Sequence, residues 1–295
     1  MSKLYAVLRL MRPANIITAV ADILAGAAIS GYFLQGNIGV ELWWLIAATA
    51  CLYGGGVVLN DVFDAGLDAV ERPERPIPSG VISVSMAALL GGLLLAGGIF
   101  CAAMSDGVYS LSSLLAALIA LASVVYDKWG KHHSFWGPLN MGICRGLNLL
   151  LGMSILPHSI FEAGWISVIP LIYIAAITMI SRGEVYGGNK KTLYIAGVLY
   201  AIVILAIALT GVYNRQVLWT SCILAAFVYM IFPPWLHAVK TPSGKAIGKA
   251  VKAGVIALIL MNAAWAAAFG APVVMVCIVL LLPVSIGLSR LFAVT

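Results

Sequence analysis

The residues best suited to chemistry stand in one run, Asn60-Asp61-Val62-Phe63-Asp64-Ala65-Gly66-Leu67-Asp68. If the apolar helix before it continues through the run, Asp61, Asp64 and Asp68 fall at i, i+3 and i+7, stacked along one face. Three carboxylates beside hydrocarbon repel one another and are costly there without a counter-charge. A divalent cation resolves the conflict. Mg2+ takes one or two carboxylates and completes its octahedron with water and phosphate oxygens, so the expected ligand is a diphosphate held through magnesium. The next segment, Glu71 to Gly80, carries Pro73, Pro76 and Pro78, which forbid regular helix and hold the chain extended. Arg75 in that segment is suited to grip the same diphosphate with its two-pronged guanidinium. Arg72 is either a second anion contact or an anchor at the membrane surface.

Two further polar segments interrupt apolar sequence. Tyr126-Asp127-Lys128-Trp129-Gly130-Lys131 leads on to Asn140. In it, Lys131 is the candidate to neutralise a departing diphosphate as a point charge, and Lys128 and Asn140 are candidate substrate contacts. Arg145 lies inside the following apolar run, where an arginine marks either a functional site or a side chain reaching for the interface. The other segment, Ser181 to Lys191, contains Arg182 and Glu184 and closes the sixth run as the aspartate cluster closes the second. Glu184 is its lone carboxylate. Two such loops facing one cavity would make a two-metal clamp, and their placement four runs apart suggests an internal duplication. In the first run, Asn15 and Asp22 share a face and either shape an acceptor pocket or bond to a neighbouring helix.

The elements that must position these groups are apolar. Of 295 residues, 62% are hydrophobic and 9% charged, against roughly 25% charged in a soluble domain. That composition excludes a soluble enzyme, a disordered chain and a nucleic-acid module, leaving an all-α polytopic membrane protein read as one domain over 1–295. The five cysteines and four histidines show no metal-ligand spacing. Apolar runs near 13–35, 41–60, 82–105, 107–126, 138–156, 163–181, 192–212, 216–236, 247–269 and 271–291 approach the roughly 20 residues a spanning helix needs. These give ten spans, or nine if one is re-entrant. The first is read as a retained span rather than a signal peptide. With the N-terminus in the cytoplasm, 15 of the 17 basic residues fall on that side. Both termini and the long polar loops are then expected to be cytoplasmic, and the chemistry with them.

Taken together these features resemble the UbiA superfamily of intramembrane prenyltransferases. The resemblance rests on Asn-Asp-x-x-Asp-x-x-x-Asp at 60–68, Arg-Pro-x-Pro-Ser-Gly at 75–80 and the segment from Tyr126 to Asn140. Arg-Pro-Ala-Asn-Ile at 12–16 and Cys-Arg-Gly-Leu-Asn at 144–148 are most similar to its EboC branch. It implies a bundle of about nine helices around a central cavity, Mg2+ as cofactor, a polyprenyl diphosphate donor and a small-molecule acceptor at the bilayer. By position, Asn60, Asp61, Asp64 and Asp68 would bind magnesium and diphosphate, and Arg75 and Lys131 would contact the diphosphate. The chain departs at the second motif, where Glu184 is followed by Gly188 in place of a pair of aspartates. The EboC-like features imply a polar, cyclitol-like acceptor. The alternatives are an aromatic quinone, haem or chlorophyll-type acceptor, or a membrane carrier without catalysis.

Overall fold

In a computed structural model that describes residues 2–36, 38–130, 133, 136–181 and 190–292, the described chain is helical and contains no strand. The elements are α1 (Lys3–Met11), α2 (Pro13–Ile29), α3 (Val40–Phe63), α4 (Ala65–Glu71), α5 (Val84–Asp106), α6 (Leu111–Val125), α7 (Trp136–Met153), α8 (His158–Ala163), α9 (Val168–Ser181), α10 (Lys190–Tyr213), α11 (Val217–Lys240), α12 (Gly244–Ala268) and α13 (Pro272–Leu291). Local chemistry sets several starts. Ser2, Ser83, Ser110 and Ser243 each cap a helix by accepting a backbone N–H three residues on. Pro13 opens α2, where its missing N–H goes unneeded.

All ten apolar runs appear as helices. Eight helical segments are long and apolar enough to cross a bilayer, nine if α1 and α2, bent by 44° at their junction, form one span. The remaining run is α7. It carries Asn140, Arg145 and Asn148 and is not among the nine. Polarity that disqualifies α7 as a lipid-facing span suits it to the interior, where it packs on α2, α6 and α9.

The helices close into a ring: α2 lies against α3 and α7 on one side and α12 and α13 on the other. Residues 256–268 of α12 are all buried, so this helix runs through the protein rather than around it. Close approach of α2 and α7 depends on glycine. A Cβ on Gly26 would overlap the Leu149 carbonyl, and one on Gly152 would overlap that of Ile23.

That approach brings two charges together. Arg145 Nη1 donates to Asp22 Oδ2 at 2.7 Å, and Arg145 Nη2 donates to Thr18 Oγ1 at 2.6 Å. Asn148 Nδ2 also reaches Asp22 Oδ2, at 3.0 Å, while Asn262 Nδ2 from α12 reaches the other oxygen at 2.7 Å. Thr49 of α3 donates to Asn148 Oδ1 at 2.7 Å. Four helices are thereby joined by one carboxylate and its partners.

Removing one member of a buried ion pair strands the other, typically at a cost of about 3–5 kcal/mol. Asp22→Ala is therefore expected to lower thermal stability in detergent by several degrees. A melting shift below about 3 °C, under roughly 1 kcal/mol, would show that the network does not hold the helices together.

Candidate active site

One end of the bundle collects the polar groups. The C-terminal ends of α3, α6 and α9 and the N-terminal ends of α2, α7 and α12 line a cavity of about 430 Å3 that opens there. Its walls are largely apolar, including Leu52, Ile119, Ile177, Val251 and Leu258. Its rim is charged.

The acidic run does not form one continuous stripe. α3 stops at Phe63, Asp64 sits at the junction with φ −89° and ψ 0°, and α4 begins at Ala65. The break sends the three aspartates different ways. Asp61 and Asp68 are buried and turn toward arginine: Arg75 Nη1 lies 2.7 Å from Asp68 Oδ2 and 3.3 Å from Asp61 Oδ1, and Arg12 Nη2 lies 2.9 Å from Asp61 Oδ1. Asp64 lines the cavity, as does Asn60.

Arg12 and Arg75 owe their positions to local backbone. Arg12 adopts φ 49° at the bend between α1 and α2, a conformation costly for a residue with a side chain. The proline-rich segment is not extended, as its prolines predict, but folds into successive turns, with Arg75 N bonded to the Arg72 carbonyl and Ser79 N to that of Arg75, both at 3.0 Å. It is pinned by Ile77 and Ile82, buried in an apolar cluster with Ala6, Leu10, Val58 and Ala87. A second pocket, about 290 Å3, adjoins the rim between Arg9, Arg12, Arg72 and Arg75. Four arginines and the carboxylates of Asp61 and Glu74 make it net positive.

Beside the C-terminal end of α3, residues 126–130 form a widened, π-type turn. It buries Asp127 and turns it to the cavity, where Asp127 Oδ1 accepts a 2.8 Å hydrogen bond from Asn60 Nδ2. In sequence this segment stands out for its lysines, and its carboxylate carries the same signal as Asp61, an acid at the end of an apolar run, but only the fold sets it beside Asn60 in the cavity that Asp64 also lines.

The other candidates separate clearly. Asn15, Arg72 and Arg145 line the cavity, with Arg145 at its deep end beside Asn148 and Thr49. Asp22 lies behind Arg145, outside the lining. Asn140 sits under the π-type turn near Gly130 and does not line the cavity. Lys128 is exposed, with its ammonium 4.5 Å over the Trp129 ring, and also stands outside. Lys131, Arg182 and Glu184 fall outside the described residues.

A charged rim over an apolar cavity in a membrane-type helix bundle suits a membrane protein that handles an anionic head joined to an apolar tail. The chain belongs to the UbiA prenyltransferase family, whose model matches residues 19–246, and it is a prenyltransferase. It is 29% identical over 248 residues to the digeranylgeranylglyceryl phosphate synthase of Ignicoccus hospitalis, a match covering 78% of this chain and 73% of that one. Two solved structures share the fold. A UbiA homologue from Aeropyrum pernix superimposes with a TM-score of 0.65 at 17% identity, covering 84% of this chain and 96% of that one. A UbiA homologue from Archaeoglobus fulgidus, bound to GPP and Mg2+, gives 0.55 at 17% identity, covering 86% and 99%.

Arg75 is the hinge of the rim's charge balance. Arg75→Ala takes from the buried Asp68 its 2.7 Å partner and is expected to cost about 3 kcal/mol. Limited proteolysis should then cleave faster within 72–83, with Arg75→Lys recovering part of the protection. Unchanged cleavage in Arg75→Ala would show that the segment is held by Ile77 and Ile82 alone.

Proposed function

We propose that the protein transfers a prenyl group from a polyprenyl diphosphate to a hydroxyl-bearing acceptor, with Mg2+, at the cytoplasmic face of the membrane. The observation that carries this reading is the pair of carboxylates Asp64 and Asp127, which line the mouth of one apolar cavity together with Asn60, the donor to Asp127.

The donor set suits Mg2+. It is hard oxygen throughout, from two carboxylates and the Asn60 amide carbonyl. Among the described residues no three His, Cys, Asp or Glu side chains group closely enough to hold a metal. Coordination would therefore be completed by phosphate oxygens and water, as Mg2+ prefers. Asp64, Asp127 and Asn60 would hold the ion, which supplies positive charge to the leaving diphosphate. The solved relative with GPP and Mg2+ supports the same pairing of metal and prenyl diphosphate.

The chain's own residues account for the rest. Arg72, and Arg75 with the N–H groups not given to Asp61 and Asp68, would reach the diphosphate oxygens from the turns that follow α4 and favour the state in which charge accumulates there. The bond from prenyl C1 to the bridging oxygen breaks, and its electron pair leaves with the diphosphate. The acceptor oxygen bonds to C1 and releases its proton to solvent at the rim. Ile174, Ile177 and Val251 keep water from the allylic centre. Asp61 and Asp68, neutralised by Arg12 and Arg75, support the rim without needing a metal in this arrangement.

For the acceptor, the matched relative's name points to a glyceryl phosphate lipid and lends no support to a cyclitol or to the EboC branch. Asn15, at the rim, is the polar group best placed to meet an acceptor hydroxyl. The sidedness rests on charge. The end bearing the site also carries Lys3, Arg9, Lys190, Lys191, Lys240, Lys245 and Arg290, while Arg215 lies at the other end.

Purified protein is expected to release diphosphate from geranylgeranyl diphosphate in the presence of Mg2+ and a geranylgeranylglyceryl phosphate acceptor. Asp64→Ala and Asp127→Ala should each reduce the rate by about 100-fold or more, the scale of a lost electrostatic contact at the reacting centre. Full activity in Asp127→Ala would remove the facing pair from the mechanism. Tight donor binding without turnover on any hydroxylated acceptor would favour a carrier instead.

A further inference from the structure

Beside the cavity mouth lies the second pocket, about 290 Å3 in volume, with Arg9, Arg12, Arg72, Arg75, Asp61 and Glu74 in its walls. Two of its arginines are committed only in part. Arg12 gives Nη2 to Asp61, and Arg75 gives Nη1 to Asp61 and Asp68, out of five N–H groups on each guanidinium. The other two pair with no carboxylate among the described residues. Arg9 Nη1 donates to the Glu74 carbonyl oxygen at 3.1 Å, and Arg72 is exposed. The pocket therefore holds more positive charge than its own acids answer. Its donors also arrive from three segments: α1, the bend before α2 and the turns after α4. A phosphomonoester presents three strong acceptor oxygens, which guanidinium forks coming from different sides can share.

Pocket and cavity divide the rim's groups between them. Asn60, Asp64 and Asp127 line the cavity and not the pocket, Arg9 and Glu74 line the pocket and not the cavity, and Arg12, Arg72 and Arg75 line both. In the pocket Asp61 is already held by Arg12 and Arg75, so an anion there would meet arginine directly rather than through a metal. We propose that this pocket binds the phosphomonoester of the acceptor, next to the Mg2+-held diphosphate of the donor. This rests on the prenyl-transfer reading above and adds to it the group by which the acceptor is recognised. The shared guanidinium groups lie between the two anions, and their charge offsets the repulsion that two phosphates side by side would feel. A hydroxyl a few bonds from the bound phosphate is then presented at the cavity mouth, where the prenyl C1 must be met in a fixed orientation.

The test compares two acceptors with the full chain in lipid nanodiscs, at fixed Mg2+ and geranylgeranyl diphosphate: geranylgeranylglyceryl phosphate, and geranylgeranylglycerol, which lacks the phosphate. The parent should show a KM at least about tenfold lower for the phosphorylated acceptor, the low end of what one hydrogen bond to a charged group contributes. Arg9→Gln should raise the KM for the phosphorylated acceptor about tenfold more than that for geranylgeranylglycerol. Glu74→Gln takes a negative charge out of the pocket and should lower the KM for the phosphorylated acceptor about threefold, the size of an exposed charge contact. A merely structural role for the segment would not produce that gain. Equal KM values for the two acceptors in the parent, or equal shifts for both in Arg9→Gln, would overturn the pocket assignment and leave the transferase reading standing. Inhibition by inorganic phosphate that depends on Arg9, with no preference between the acceptors, would mark a site for free phosphate and overturn the assignment as well. No turnover of either acceptor by the parent would overturn both readings.

Discussion

A charged side chain inside an apolar bundle has to be answered by its neighbours, and in this protein that demand organises the interior. Arg145 lies on α7 some distance from either end of the helix, where neither water nor headgroups supply counter-charge. Asp22 neutralises it, Thr18 accepts from its second terminal nitrogen, and Asn148 and Asn262 donate to the Asp22 carboxylate. Each partner comes from a different turn or a different helix, so satisfying one charge fixes the relative heights of α2, α7 and α12. Glycines 26 and 152 permit this, because a side chain at either would hold α2 and α7 apart. Such a pair need not add net stability over an apolar substitute. Its contribution is registry.

The rim solves the same problem with a different result. There the acids outnumber what a membrane surface tolerates unpaired, and two arginines neutralise part of the set. Arg12 and Arg75 take up Asp61 and Asp68, and Asp64 and Asp127 are turned to the cavity. The break between α3 and α4 makes this division possible. On an unbroken helix the three aspartates would have shared one face and one set of partners. Charge at the mouth and hydrocarbon along the walls together match a ligand with an anionic head and an apolar tail.

Membership of the UbiA prenyltransferase family and the shared folds agree with that division. The names of matched relatives carry a glyceryl phosphate product. The arginine-lined pocket beside the rim is consistent with a second anionic group, although Arg12 and Arg75 there are already engaged with aspartate.

Much was legible from the sequence, for reasons of composition and period. Ten apolar runs became ten helices because a residue count near the bilayer thickness and a lack of charge leave few other outcomes. Asn60 to Asp68 and the proline-bearing segment after it stood out because acids and prolines at a helix end are costly unless used. Three things were not legible. The helix break at Asp64 and the arrival of Arg12 and Arg75 from other segments at Asp61 and Asp68 belong to the packed rim and not to the spacing of the acids. Asp127 was hidden among lysines, since its place beside Asn60 at the cavity comes from the packing of α6 beside α3. Asp22 and Arg145 were both conspicuous, 123 residues apart, yet nothing in their spacing says they meet. Sequence determined which residues could not be idle in a membrane. Tertiary structure decided which of them face one another, because pairing depends on distances between helices that no single helix encodes.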